Sequence, residues 1–278
     1  MISTPIRRYG AAILMLLTCI FSGSVLATTH TATTSHKAPI VKKKNTVKVS
    51  KVSSKQEYSR NSVKSSSLPD LRKYPSGTPR KKAFLRTVMP YITSQNAAIT
   101  AERNWLISKQ YQGQWSPAER ARLKDIAKRY KVKWSGNTRK IPWNTLLERV
   151  DIIPTSMVAT MAAAESGWGT SKLARNNNNL FGMKCMKGRC TNAPGKVKGY
   201  SQFSSVKESV SAYVTNLNTH PAYSSFRKSR AQLRKADQEV TATAMIHKLK
   251  GYSTKGKSYN NYLFAMYQDN QRLIAAHM

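Results

Sequence analysis

A single glutamate stands at the end of an apolar helical segment. Residues 154–166 read PTSMVATMAAAES, and helical geometry puts Glu165 on the same face as Met157 and Met161. The glutamate also falls in the last turn before Gly167, where the helix dipole is negative. Apolar surroundings and that dipole both disfavour ionisation, so the sequence predicts a raised pKa for Glu165. A carboxyl group that keeps its proton near neutral pH can act as a general acid.

The residues after this glutamate favour catalysis over a simpler alternative, which is a solvated helix-end carboxylate with an ordinary pKa. Trp168 follows closely, four asparagines occupy 176–179, and Leu180, Phe181 and Gly182 come next. Aromatic rings, amides and glycine together are typical of a carbohydrate cleft. Acidic residues are scarce in this chain, so one on an apolar face is a candidate for chemistry.

The chain is strongly basic, with 47 Lys and Arg against 12 Asp and Glu among 278 residues and a net charge of +35. This balance is rare in cytoplasmic enzymes and indicates a polyanionic partner, either nucleic acid or the surface of a bacterial envelope. The sequence contains no glycine-rich phosphate loop and no Cys/His cluster with metal-ligand spacing. We therefore expect no metal site and no organic cofactor.

The N-terminus decides between those partners. Arg7 and Arg8 precede an apolar run, and small residues at 25–27 form a cleavage site, so residues 1–27 are predicted to be a signal peptide. An uncleaved membrane anchor is the alternative, but the run is shorter than the roughly 20 residues that a spanning helix needs. The predicted location is the periplasm, where electrostatic contact with the anionic envelope surface is expected and nucleic acid is not.

Residues 28–82 are predicted to be a basic disordered linker. They carry 14 Lys and Arg against two acids and show no sustained apolar periodicity. Two interpretations stay open: an electrostatic tether to anionic polymers or lipids, or a solvated linker whose charge has no specific purpose. The remaining residues, 83–278, are themselves basic.

From residue 83 onward, apolar residues recur at helical spacing and predict a mainly α domain. Residues 83–149 are predicted to form a helical N-terminal extension, and residues 150–278 the catalytic domain. Helices are expected over 84–106, 116–132, 143–150, 154–166, 206–217, 223–235, 240–250 and 259–276. Only residues 180–203 are typical of strands, and they predict a small β-hairpin lobe.

Two cysteines remain once the signal peptide is removed. Cys185 and Cys190 are close in sequence, and in an oxidising compartment they are predicted to form a disulfide that closes a tight loop around Gly188. A pair of surface thiols is the alternative.

Several motifs resemble those of the glucosaminidase family, the family 73 glycoside hydrolases. The first two are AESGWG at 164–169 and NLFGMK at 179–184. The sequence YSQF at 200–203 resembles the family's return strand, and GYST at 251–254 followed by Tyr259 resembles its Tyr-Ala-Thr element. The motifs occur in the family's order over nearly half of the chain.

This resemblance implies a lysozyme-like helical domain with a small β-hairpin lobe. Family members cleave the β-1,4 bond after N-acetylglucosamine in peptidoglycan or a related glycan, which makes such a glycan the expected partner. By the same resemblance Glu165 is the catalytic acid, and Tyr252 is a second catalytic residue in the cleft. The positions implied to bind substrate are Trp168, Asn179, Phe181, Tyr200 and Tyr259.

The sequence lacks the second carboxylate that family members often carry in the β-hairpin. No acidic residue occurs between Glu165 and Glu208, and Glu208 is predicted to be a solvated helical residue. Many glycosidases pair two carboxylates, so the sequence instead suggests that the 2-acetamido group of the substrate assists Glu165 while Tyr252 orients that group or stabilises charge. Two alternatives stay open: a lytic transglycosylase, and a peptidoglycan-binding protein without catalytic activity.

Overall fold

The structure is a computed structural model that describes residues 67–185, 190, 193–254 and 256–278. The predicted signal peptide and most of the predicted linker lie outside the described residues. The prediction of a mainly helical protein is confirmed. The helices are α1 (Thr78–Lys109), α2 (Pro117–Arg129), α3 (Trp143–Arg149), α4 (Thr155–Ser166), α5 (Lys172–Asn177), α6 (Val206–Thr219), α7 (Ser224–Lys235), α8 (Ala242–Ile246) and α9 (Lys257–Ala275). None of the described helices is long and apolar enough to cross a membrane.

The core is built around α4, which packs against α1, α8 and α9, while α1 also packs against α6. Most of α4 is buried, because small and apolar residues cover all of its faces. From α1, Phe84, Leu85 and Val88 are fully buried on one face at helical spacing. The helix whose last turn carries Glu165 is therefore the central element of the fold.

The segment before α1 is folded, so the predicted linker is too long at its C-terminal end. Leu71 is buried in a short 3₁₀ turn that Asp70 caps, Leu68 is buried beside it, and α1 begins at Thr78. The side-chain oxygen of Asn178 accepts a hydrogen bond from the backbone of Leu68 at 3.0 Å. Burial of the two leucines stabilises the contact of this stretch with the core.

Local signals placed several helix ends correctly. Ser116 and Glu119 form a complete capping box at the start of α2, because each side chain accepts a hydrogen bond from the other's backbone N–H. Gly167 ends α4 in the left-handed conformation, with a φ of 57°. The predicted helix over 240–250 is shorter than expected, since α8 spans only Ala242–Ile246.

The described part of residues 180–203 contains no strand pair. A single antiparallel bridge joins Lys184 to Tyr200, so the predicted hairpin lobe is not shown. The disulfide between Cys185 and Cys190 is present, with a Cα–Cα distance of 5.3 Å. The lysozyme-like arrangement and the division at residue 150 stay predictions.

A buried charge cluster fixes the loop between α3 and α4. The Asp151 carboxylate is 1% exposed and forms two hydrogen bonds with Arg234, at 3.0 and 3.2 Å. Arg230 is fully buried, lies 3.7 Å from the same carboxylate, and donates to the backbone carbonyls of Glu148 and Ile152, both at 2.8 Å. Arg103 of α1 lies 3.6 Å from Asp151. The cluster therefore joins α1 and α7 to the residues that lead into α4.

Gly169 lies just after the end of α4 and tests how this region packs against Leu68 and Leu71. Its φ is 77°, and an added Cβ would lie 2.6 Å from Leu71 Cδ1 and 3.1 Å from the Phe84 ring. We expect Gly169→Ala to lower the free energy of unfolding by about 3 kcal/mol, from left-handed strain and overpacking together. Urea denaturation measures this loss.

The matched control is Gly195→Ala. Gly195 has nearly the same φ, 76°, but no atom lies within 4 Å of its added Cβ. This variant is expected to lose only the backbone contribution, about 1 kcal/mol. Equal losses in the two variants would refute the steric contact with Leu71 and Phe84.

Candidate active site

The candidate active site is centred on the Glu165 carboxyl group in the last turn of α4. The side chain is half-buried, and Tyr259 from the first turn of α9 donates a hydrogen bond to its Oε1. Burial raises the pKa of Glu165, and the hydrogen bond from Tyr259 opposes this rise in part. The predicted direction of the shift is confirmed, since burial disfavours the charged form of the Glu165 carboxyl group.

The second carboxylate oxygen faces a residue without a side chain. An added Cβ at Gly182 would lie 3.3 Å from Glu165 Oε2, and Gly182 has a φ of 64°. Glycine here leaves room beside Oε2 and satisfies a backbone conformation that other residues rarely adopt. The geometry therefore orients one carboxylate oxygen through Tyr259 and keeps space at the other.

Tyrosine rings form a row that leads from the core to Glu165. Tyr252 stacks on Tyr259 with 5.5 Å between ring centroids, and Tyr213 meets Tyr252 edge-on at 6.4 Å. Tyr213 is buried and stacks in parallel on Phe181 at 3.9 Å. The structure thus brings Tyr252 and Tyr259 together at Glu165, whereas Phe181 is a buried support beneath Tyr213.

Burial keeps these phenols neutral. The pKa of Tyr252 is raised above its ordinary value by burial and then by the charge of Glu165. The pKa of Tyr259 is raised by burial, by Tyr252 and by its hydrogen bond to Glu165. A phenol with a raised pKa keeps its proton, so both tyrosines can donate hydrogen bonds, and neither is suited to act as a phenolate nucleophile.

The four asparagines at 176–179 hold the backbone of a later part of the chain, mainly residues 195–203. Their amide nitrogens donate to backbone carbonyls, Asn176 to Gly195, Asn177 to Val197 and Ser201, Asn178 to Phe203, and Asn179 to Met183 and Ser201. The Asn179 side-chain oxygen also accepts from Met183 at 3.0 Å, and the residue is 1% exposed. The structure therefore places Asn179, implied to bind substrate, in a positioning role, with its amide hydrogen-bonded within the protein.

Trp168 faces α1 in the structure. Its ring meets Phe84 edge-on at 5.6 Å between centroids, and Lys81 Nζ lies 5.1 Å from its ring centre. The described contacts of Trp168 therefore join α4's end to α1 and do not include the tyrosine row. Tyr200 is half-buried and forms the antiparallel bridge with Lys184.

Most other described acidic residues are paired or cap a helix. Glu208 lies in the first turn of α6, which Ser205 caps, and its carboxylate accepts from the backbone and hydroxyl of Ser204. The remaining paired acids are Asp70, Glu102, Glu119, Asp125, Glu148 and Asp151, each with an Arg or Lys partner. Among the residues that the structure describes, no three His, Cys, Asp or Glu side chains form a metal-binding group.

Tyr213 was missed as a site residue by reasoning from sequence. It lies on the buried face of α6, and its hydroxyl donates to Met161 Sδ at 2.7 Å. A tyrosine at a core position of a helix was the available signal, because a buried hydroxyl needs a partner.

Tyr259→Phe is expected to change the pH dependence of any glycosidase activity. Removing the phenol proton removes a hydrogen bond that favours the charged carboxylate, so the pKa of Glu165 rises further. The alkaline limb of the kcat/KM profile should therefore move to higher pH. Tyr130→Phe is the matched control, because Tyr130, which directly follows α2, donates to Glu102 of α1 at 3.0 Å in a similar pair. An unmoved alkaline limb in Tyr259→Phe would disprove this role.

Comparisons with known proteins agree with the motif pattern. The model of the Glucosaminidase family, described as mannosyl-glycoprotein endo-beta-N-acetylglucosaminidase, matches residues 142–272. The chain is also 92% identical to Protein bax of Escherichia coli strain K12 over 278 residues, which is 100% of both chains. The chain belongs to the glucosaminidase family. It carries a glycosidase domain, and the family match spans Glu165 and the tyrosine row.

A solved structure also matches part of this chain. The catalytic domain of the autolysin Auto from Listeria monocytogenes is 21% identical, with 61% of this chain and 96% of that chain covered. The TM-score is 0.32, which is too low to establish a shared fold.

Proposed function

We propose that this glucosaminidase is an exported endo-β-N-acetylglucosaminidase that hydrolyses the β-1,4 bond after N-acetylglucosamine in peptidoglycan. The observation that carries the proposal is Glu165, a half-buried carboxyl group with a raised pKa whose Oε1 accepts a hydrogen bond from a neutral phenol. A general acid for glycoside cleavage needs such a proton near neutral pH. Membership of the glucosaminidase family supports the same chemistry.

In the proposed reaction, Glu165 gives its proton to the glycosidic oxygen as the bond from that oxygen to the anomeric carbon breaks. The carbonyl oxygen of the substrate's own 2-acetamido group bonds to the anomeric carbon and forms a cyclic oxazolinium intermediate. Water then attacks the anomeric carbon, the bond to the acetamido oxygen breaks, and the water proton goes to the Glu165 carboxylate. The acid is restored for the next cycle.

The contacts of two described acidic residues, Glu208 and Asp151, support this substrate-assisted route over one that uses a second catalytic carboxylate. Glu208 is hydrogen-bonded to Ser204 at the start of α6, and Asp151 is held by arginines, so both carboxylates already have structural partners. Tyr252 and Tyr259 have raised pKa values and stay protonated. In the proposal Tyr252 donates a hydrogen bond that orients the acetamido group, while Tyr259 fixes the Glu165 carboxyl group.

Charge supports the proposed location and partner. The chain carries a net charge of +35, and peptidoglycan stem peptides and anionic lipids present carboxylates and phosphates. Attraction between them extends over roughly 8–10 Å at physiological salt. With the signal peptide proposed at residues 1–27, the protein would act in the periplasm, bound at the envelope surface and without nucleic acid.

Mass spectrometry of the products tests the proposed reaction. The purified chain is incubated with peptidoglycan, and reducing N-acetylglucosamine ends are the expected result. Anhydro-muramyl ends would instead identify a lytic transglycosylase. Sedimentation with the wall but no cleavage would leave a binding protein.

Product stereochemistry tests the substrate-assisted step separately. Reaction in the presence of methanol should give methyl glycosides with the β configuration retained, because two displacements occur at the anomeric carbon. An inverted anomer would exclude the acetamido-assisted route while leaving Glu165 as the acid.

A further inference from the structure

The tyrosine row continues outward from Glu165 to an exposed ring. Tyr262 lies one turn beyond Tyr259 on α9, with 6.3 Å between the two ring centroids. Tyr213, at the other end of the row, is 1% exposed, whereas Tyr262 is 54% exposed. Aromatic rings therefore extend from the core, past the candidate acid, to the protein surface.

Tyr262 differs from the other exposed tyrosines of the described chain. Tyr74 and Tyr111 are also exposed, and neither has an aromatic ring beside it among the described residues. Isolated exposed tyrosines are ordinary surface features. Tyr262 instead adjoins Tyr259, whose hydroxyl contacts the Glu165 carboxyl group. Its position beside the candidate acid requires a separate explanation.

The helix that carries Tyr262 is firmly anchored. Close to Tyr262 in this helix, Leu263 is fully buried, and Asn260 donates to the backbone carbonyl of Leu249 at 3.3 Å. α9 also packs on α4, the helix that bears Glu165. A ring on such a helix is held at a fixed place relative to the acid, which suits binding better than a ring on a loop.

We propose that Tyr262 forms a sugar-binding subsite next to the cleavage position, where its ring stacks on a pyranose of the glycan strand. This inference rests on the proposed function, because it needs a glycan at Glu165. A tyrosine ring offers a flat apolar face at low entropic cost, and a pyranose offers C–H groups on one face. The subsite makes the enzyme selective for strands longer than the pair of sugars that is cleaved.

The test measures affinity as a function of strand length in the Glu165→Gln background. The probes are peptide-free soluble glycan strands of disaccharide, tetrasaccharide and octasaccharide length. Tyr262→Ala is expected to weaken octasaccharide binding by about tenfold and to leave disaccharide binding unchanged. Tyr262→Phe keeps the ring and should bind like the parent, and Tyr111→Ala controls for loss of an exposed tyrosine.

Each other outcome overturns the subsite. Unchanged octasaccharide affinity in Tyr262→Ala removes it directly, and equal weakening at every length indicates damage to the site as a whole. A loss in Tyr262→Phe as large as in Tyr262→Ala would assign the effect to the hydroxyl group. If the parent binds no strand of any length, the proposed function fails and the subsite with it, so the two failures are distinguishable.

Discussion

Glu165→Gln should lower the rate of peptidoglycan cleavage by about 100- to 10,000-fold, the usual contribution of a general acid. Glutamine has nearly the same shape and can still accept the Tyr259 hydrogen bond, but it has no acidic proton for the leaving oxygen. Release of soluble muropeptides under saturating substrate measures the effect. Wall binding should persist, because the shape and positive charge of the protein are retained.

Glu102→Gln is the matched control for this variant. Glu102 also accepts a hydrogen bond from a tyrosine, Tyr130, but it pairs with Arg129 at 2.7 Å between α1 and α2. Its replacement is expected to leave cleavage unchanged. Comparable activity in Glu165→Gln and the parent would remove Glu165 from the mechanism.

The same Glu165→Gln variant tests the raised pKa without any substrate. Burial raises the folded-state pKa of Glu165 above the unfolded value of about 4.3, so ionisation destabilises the folded protein. That cost is absent below the unfolded pKa and develops as pH rises through the folded pKa. The variant should therefore melt at a higher Tm than the parent at neutral pH, and the difference should vanish in acid. A lower Tm at neutral pH would contradict the direction of the shift.

Asp151→Asn should lower the free energy of unfolding by about 3–5 kcal/mol, the loss typical when one partner of a buried ion pair is removed. The substitution keeps the shape of the side chain but leaves Arg230, which is fully buried, without its countercharge. It also breaks the paired hydrogen bonds with Arg234. The midpoint of urea denaturation measures the change.

Asp125→Asn is the surface counterpart. Asp125 pairs with Arg129 at 2.8 Å within α2, and its side chain is 63% exposed. Exposed pairs of this kind contribute less than about 1 kcal/mol, because water and salt screen them. A similar midpoint for both variants would show that the Asp151 cluster is not a major source of stability.

Structural features that depend on residues close together in the sequence were predicted correctly. The capping box at Ser116 and the left-handed Gly167 involve residues within a few positions of each other, and both are confirmed. The raised pKa of Glu165 followed from its place on an apolar helical face. The two helix ends depend on neighbouring residues, and the apolar face of α4 depends on helical geometry, which sequence spacing describes directly.

Contacts between residues far apart in the sequence could not be predicted from spacing along a helix. The asparagine cluster was interpreted as a carbohydrate-binding feature, yet Asn177 and Asn179 bond to backbone about 20 residues away. An amide side chain is equally suited to a sugar hydroxyl and to a peptide carbonyl. Only the fold decides which lies within reach, and the same holds for Trp168 beside Phe84. Asp151 carried no signal at all, because its arginines come from distant helices.

The pairing of Glu165 with Tyr259 also sets the order in which activity can arise during synthesis. The acid lies on α4, and its phenol partner lies 94 residues later on α9. A ribosome adds about 5–20 residues per second, so a growing chain carries Glu165 for several seconds or more before its partner exists. The oriented acid therefore belongs to the finished fold, and a nascent chain that can already form α4 still lacks it.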